Sequence, residues 1–169
     1  VIGFGATGRG AVTGLEAIGL TVLLPVQPML AATSPNVEEA LAGTGRASVE
    51  WKLDGARIQV HKSGDDVRIY TRTGNDVTAA APEIVSVVGE ASARSLILDG
   101  EAIALKQNGA PYPFQDTMRR FGRELEIDAM RATMPLSVFF FDCLRRDDEN
   151  LVAMPGDARF AAMAAAVAS

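Results

Sequence analysis

Residues 57–62 alternate in character, with Ile58 and Val60 pointing one way and Arg57, Gln59 and His61 the other. A period of two predicts a half-buried strand. A second strand is expected at 67–71, and the turn-forming Ser63-Gly64-Asp65-Asp66 makes the two an antiparallel hairpin. Another strand is expected at 47–52, ahead of the hairpin. After Pro82, the spacing of Ile84, Val85 and Val88 predicts a short helix with those residues on its buried side. Residues 95–105 form a long apolar stretch interrupted by Asp99-Gly100-Glu101, and Asn108-Gly109 then turns the chain. Beyond Pro113, Phe114, Met118 and Phe121 recur at helical spacing. Residues 136–143 read as a buried strand bounded by polar residues 145–150, and Asp157 caps an alanine-rich helix that runs to the end.

The first third is more broken. A helix is expected at 11–18, Pro25 and Pro28 mark a linker, and Ser34 is the expected N-cap of a second helix. There Pro35 takes the first helical position, Glu38 and Glu39 favour the positive end of the helix dipole, and Gly43 and Gly45 stop it. Helices and antiparallel strands mix without a βαβ alternation, so the fold class is α+β.

Composition narrows the chemistry. A chain of 169 residues that is 48% hydrophobic can bury one sizeable core. Its single cysteine, Cys143, excludes an internal disulfide and a multi-cysteine zinc site, which fits a reducing cytoplasm. The apolar run at 18–26 is too short to span a bilayer and contains Pro25, so no membrane partner is expected. A net charge of −5 argues against gripping nucleic acid over the whole surface but leaves room for a local basic groove. The chain opens on Val1, which suggests a piece of a longer reading frame. Gly3-Phe4-Gly5-Ala6-Thr7-Gly8 has dinucleotide-loop spacing, but only Val1 and Ile2 precede it and the nearest acid is Glu16, so a plain glycine-rich connection is expected.

Four groups carry chemistry. Lys52 lies in Glu50-Trp51-Lys52-Leu53-Asp54-Gly55-Ala56-Arg57, where an Asp-Gly turn follows the lysine. A lysine amine attacks phosphorus only when unprotonated, a state favoured by nearby cations or desolvation, and Arg57 and Arg72 supply cations that also bind phosphate. A lone lysine at a strand end is equally compatible with a solvated side chain. Arg72-Thr73-Gly74 joins an arginine to a glycine that permits close backbone approach. Asp99 and Glu101 occupy alternate positions of one strand and so share a face, where they can hold ribose hydroxyls or magnesium, or form an ordinary acidic bulge. Finally, three consecutive aromatics in Phe139-Phe140-Phe141-Asp142 cannot all face one core. One of them can offer a stacking platform for a purine.

Lys52-Leu53-Asp54-Gly55-Ala56-Arg57 resembles the K-x-D-G-x-R motif of covalent nucleotidyltransferases, and the other three groups follow in that family's order. The set is similar to ATP-dependent DNA ligases, particularly bacterial ones. Gln27-Pro28-Met29-Leu30-Ala31, Pro113-Phe114-Gln115 and Arg120-Phe121-Gly122-Arg123 also look like that family, so the resemblance runs from about residue 22 to residue 142. It implies an antiparallel-sheet adenylation domain, incomplete on its C-terminal side. Residues 28–169 would be the N-terminal part of that domain, and residues 1–27 the end of a preceding helical DNA-binding segment with its linker.

The resemblance also implies roles. Lys52 would attack the α-phosphate of ATP, Glu50 would read the adenine amino group, and Phe141 would stack on the base. Arg57 and Arg72 would contact phosphates, Arg72 also the 5′-phosphate at a nick. Glu101 would bind ribose or Mg2+, with Asp99 beside it. The implied partner is nicked double-stranded DNA; the protein is expected to be cytoplasmic and a monomer. His61 reads as a surface residue and Cys143 as a buried small hydrophobe. Beyond Asp142 the family's Glu-Gly-x-x-x-Lys segment is absent and no lysine follows Lys106, so little or no ligation is expected of these 169 residues alone. The alternatives are another covalent nucleotidyltransferase, such as an RNA ligase or a GTP-using capping enzyme, and a noncatalytic remnant that binds nucleic acid.

Overall fold

A computed structural model describes residues 20–28, 32–44, 47–122 and 127–167. The glycine-rich start, the helix expected at 11–18, Met29 to Ala31, Gly45 and Arg123 lie outside the described residues.

The elements are α1 (Val37–Thr44), β1 (Ala56–Ser63), β2 (Asp66–Thr71), a short 3-10 turn (Thr78–Ala80), α2 (Pro82–Gly89), β3 (Ser95–Ala104), α3 (Phe114–Phe121), α4 (Ile127–Thr133), β4 (Leu136–Arg146), β5 (Glu149–Asn150) and α5 (Gly156–Val167). The strands form one antiparallel sheet in the order β2-β1-β3-β4-β5. This is the α+β class expected, and the hairpin lies where the alternation put it, with Ser63 opposite Asp66 and Ile58 opposite Thr71.

The two faces of the sheet differ. Ile58 and Val60 of β1, Ile69 of β2 and Leu96 and Leu98 of β3 are buried with Ile84 and Val88 of α2 and with Met163 and Ala166 of α5. Lys62 closes this face, its Nζ donating to the carbonyls of Gly89 (2.9 Å) and Ala91 at the C-terminal end of α2. A cation there offsets the negative end of the helix dipole. The opposite face carries Arg57, Gln59 and His61 of β1, with Glu101 and Asp99 of β3 directly across from Arg57 and Gln59. In β3 and β4 the register shifts at Ile97/Leu98 and Asp99/Gly100, so the ladder is bulged beside the acidic pair.

Several expectations are corrected. No strand forms at 47–52, because both edges of β1 are taken by β2 and β3, and Val49 and Trp51 are 79% and 94% exposed. The first helix is capped by Asn36 rather than Ser34. Asn36 Oδ1 accepts from the Glu39 backbone N–H at 2.8 Å and Asn36 Nδ2 donates to the Glu39 carboxylate, while Gly43 lies inside the helix. β1 is buried on both faces, and His61 is fully buried instead of at the surface. In α3 the core-facing residues are Thr117 and Arg120, and the apolar side of Phe114 and Met118 turns outward.

Candidate active site

Lys52 reaches the sheet through the Asp54-Gly55 turn, and the backbone of that turn fixes where it sits. Gly55 packs directly on β3: a Cβ there would lie 2.5 Å from the Ala102 carbonyl oxygen and 2.6 Å from Ile103 Cγ1, so only glycine fits. This close approach lets the Gly55 N–H donate to Glu101 Oε1 at 3.1 Å. The lysine segment and the Glu101 carboxylate are thereby fixed to each other.

Two residues further, Arg57 faces the same side. Its Nε and Nη2 donate to the two oxygens of Asp99 at 3.1 and 2.6 Å, a forked, charge-assisted pair. The guanidinium also lies 5.4 Å from the centre of the Phe141 ring, within cation–π range. Asp99, first in order, then Glu101 and Asp142 hold the Arg57 pKa above its ordinary value against the opposing effect of burial. The pKa of the Glu101 carboxyl is raised as well, by burial, offset in part by the Gly55 N–H, Lys52 and Arg57.

The aromatic run divides as the strand pleat requires. Phe140 packs against the core, Phe141 is half-buried, and Phe139 is exposed. Gly100 allows β4 this close, since a Cβ there would meet the Phe139 carbonyl oxygen and Phe140 Cδ1 at 2.9 Å each. After β2, Arg72 is exposed on a tight turn in which the Gly74 N–H donates to the Thr71 carbonyl and the Thr71 N–H to the Asn75 carbonyl, both at 2.9 Å. Gly74 has φ +85°, a backbone state that glycine adopts without strain.

A cavity of about 1280 Å³ joins these parts, and Glu50, Lys52, Arg57, Arg72, Glu101 and Phe141 all line it. Asp99 does not, because its carboxylate is buried and engaged by Arg57. Glu50 is exposed at the rim and accepts from Ser48 Oγ at 3.0 Å. A second cavity of about 870 Å³ continues past Glu50 and Phe141 to the Asp142–Arg159 ion pair, bonded at 2.7 and 3.0 Å.

The sequence reading missed the apolar wall opposite the charges: Trp51, Phe114, Met118, Phe121 and Phe160 line the cavity. The three- and four-residue spacing in α3 was the available signal. α3 is held in place by its polar side. The Ala104 N–H donates to Thr117 Oγ1, and the fully buried Arg120 donates to the Ala80 carbonyl and to Glu83. Chemically, the cavity offers the Lys52 amine, the Arg57 and Arg72 guanidinium groups, the Glu50, Asp54 and Glu101 carboxylates and several aromatic rings, a set suited to a ligand that joins phosphate to a flat group. No cluster of three metal-ligating side chains occurs among the described residues.

Residues 28–169 match the family model described as ATP dependent DNA ligase domain. A probable DNA ligase of Anaeromyxobacter sp. (strain Fw109-5) is 55% identical over 162 residues, which is 96% of this chain and 31% of that protein. DNA ligase B of Mycobacterium tuberculosis (strain CDC 1551 / Oshkosh) is 49% identical over 154 residues, 90% of this chain and 30% of that protein. This chain thus spans about a third of the length of these curated relatives. Among solved structures, the ligase domain from M. tuberculosis LigD is 28% identical with a TM-score of 0.53, over 68% of this chain and 34% of that one. A mycobacterial DNA ligase D complexed with ATP and MES is 27% identical with a TM-score of 0.52, over 70% of this chain and 37% of that one.

Proposed function

The chain belongs to the family of ATP-dependent DNA ligase domains, and we propose that it supplies the lysine-adenylylating half of a DNA ligase site. The observation that carries this reading is the single cavity walled by Lys52, Arg57, Arg72, Glu101 and Phe141.

The Lys52 amine attacks the α-phosphorus of ATP, an N–P bond forms, and the P–O bond to pyrophosphate breaks with its electron pair leaving on pyrophosphate. Arg57 opposes the charge that builds on the phosphate oxygens. Phe141 carries the adenine ring, and Glu50 at the rim accepts from its amino group. Glu101 takes the ribose side or a metal ion, while Asp99 acts by holding Arg57. Such chemistry is limited by positioning and electrostatics rather than by a general base, which matches a site that gathers cations at Lys52, Arg57 and Arg72. In the later steps a 5′-phosphate oxygen of nicked duplex DNA attacks the same phosphorus and releases the lysine. Attack by the neighbouring 3′-hydroxyl then closes the strand and expels AMP. Arg72, exposed on its turn, is the residue placed to meet the 5′-phosphate.

The donor set also suits magnesium. The Glu101 carboxylate on the cavity wall, fixed by the Gly55 N–H, is the kind of protein ligand that suits an ion held chiefly by water and phosphate oxygens. When bound, Mg2+ would neutralise phosphate charge. We further infer a monomer acting in the cytoplasm.

The test is to offer the full-length natural protein ATP, GTP and NAD, each carrying its label in the nucleotide that would be transferred. Covalent label from ATP alone, lost in Lys52→Ala, is expected. Label from GTP or NAD alone would shift the assignment to another nucleotidyltransferase, and function unchanged by Lys52→Ala would favour a noncatalytic nucleic-acid-binding role.

A further inference from the structure

The segment at 20–26 is gripped by its backbone on the same sheet face as the site. The Leu23 N–H donates to His61 Nδ1 at 2.9 Å, and Tyr70 Oη donates to the Leu23 carbonyl at 2.7 Å. The Val26 N–H donates to Gln59 Oε1 at 2.9 Å, and Gln59 Nε2 donates to the Val26 carbonyl at 3.3 Å. With Nδ1 accepting, the imidazole proton sits on Nε2 and bonds Gln59 Oε1 at 2.9 Å, so the network is satisfied throughout. Tyr70 lies opposite Gln59 in the ladder and meets the His61 ring edge-on at 5.2 Å.

What is gripped is strained. Leu23 has φ +69°, in the left-handed region that a side-chain-bearing residue rarely adopts, and it sits in a turn closed by the Leu24 N–H to the Thr21 carbonyl at 3.2 Å. Such a conformation persists where surroundings over-determine it, and here four side-chain bonds do. The segment then leads to the nucleotide site: Pro25 Cγ is the nearest atom to the open side of Gly74, 3.8 Å from where a Cβ would lie. Gly74 belongs to the turn that carries Arg72.

We propose that Gln59, His61 and Tyr70 form a backbone clasp that lays segment 20–26 against the Arg72–Gly74 turn and thereby positions Arg72 for the DNA-dependent step. They are positioning residues, since none of the three lines the cavity. The clasp reads only backbone groups at Leu23 and Val26, so it tolerates sequence change in the segment while fixing its path. The DNA half of this statement rests on the ligase reading above; the clasp itself does not.

The test uses the full-length natural protein and two readouts. In the wild type, hydrogen exchange should find the Leu23 and Val26 amides protected. In Gln59→Leu/His61→Phe that protection should fall, and AMP transfer from preformed lysine–AMP to nicked DNA should slow about tenfold or more, while lysine–AMP formation stays within about twofold. If the double variant does not fold, Tyr70→Phe removes one bond only and should give the same selective loss, about threefold. The proposal is overturned if those amides exchange freely in the wild type, if transfer keeps its rate once protection is lost, or if both chemical steps fall together. A wild-type protein that forms no lysine–AMP would defeat the ligase reading, and hydrogen exchange would still decide the clasp.

Discussion

Asp99 is bonded through both carboxylate oxygens to Arg57, at 3.1 and 2.6 Å, and so holds the guanidinium 5.4 Å from the centre of the Phe141 ring. An arginine free to rotate would lose about 2 kcal/mol of side-chain entropy on meeting phosphate. Here the pair has largely met that cost before the ligand arrives. Asp99→Asn should therefore slow lysine–AMP formation about tenfold or more with little loss of folded protein. Single-turnover labelling beside a thermal melt separates the two effects.

Gly55 is the contact through which β3 places the lysine turn. In Gly55→Ala the new methyl meets the Ala102 carbonyl and Ile103, forcing the turn off the sheet and breaking the 3.1 Å bond to Glu101. Overpacking of this kind costs about 1–3 kcal/mol. Denaturant unfolding should show that loss, and adenylylation should fall further than the change in folded fraction explains.

His61 is the chain's single histidine, so its imidazole gives an unambiguous NMR titration. Burial lowers its pKa from 6.5 to about 4, so the folded state binds fewer protons than the unfolded state between those values. Its stability contribution is complete above pH 6.5 and is lost as pH falls toward about 4, amounting to about 3 kcal/mol across that window. His61→Phe should flatten that part of the stability–pH curve.

Arg120 bolts α3 to the body of the domain. Its guanidinium is fully buried, Nη2 lies 3.3 Å from the Glu83 carboxylate, and Glu83 Oε1 also accepts from the Leu136 N–H at 2.8 Å. Glu83→Ala leaves a buried cation without its partner, which costs about 3–5 kcal/mol. The melt should fall accordingly, and the wall of Phe114, Met118 and Phe121 should loosen with it.

The hairpin was legible because alternation and an Asp/Gly turn are local signals. That Lys52, Arg57, Arg72, Glu101 and Phe141 share one cavity was legible because charged and aromatic residues interrupt otherwise apolar runs there. The burial of His61 was not legible, since its cover comes from Leu23, thirty-eight residues away. For Phe114 and Met118, periodicity locates an apolar face without saying whether it meets a core or a cavity. The absent strand at 47–52 failed for a related reason: apolar alternation does not guarantee a free sheet edge. Asp99 was read as a companion of Glu101, but the Arg57 side chain, diagonal to it in the ladder, engages both its oxygens.

The central claim is that Lys52 is the nucleophile of this cavity. Full-length natural protein incubated with ATP labelled at the α-phosphate should gain one acid-labile, base-stable label, and peptide mapping should place it on Lys52. Lys52→Arg, which keeps the charge, should abolish it. Label mapped to another residue, or undiminished in Lys52→Arg, would contradict the account.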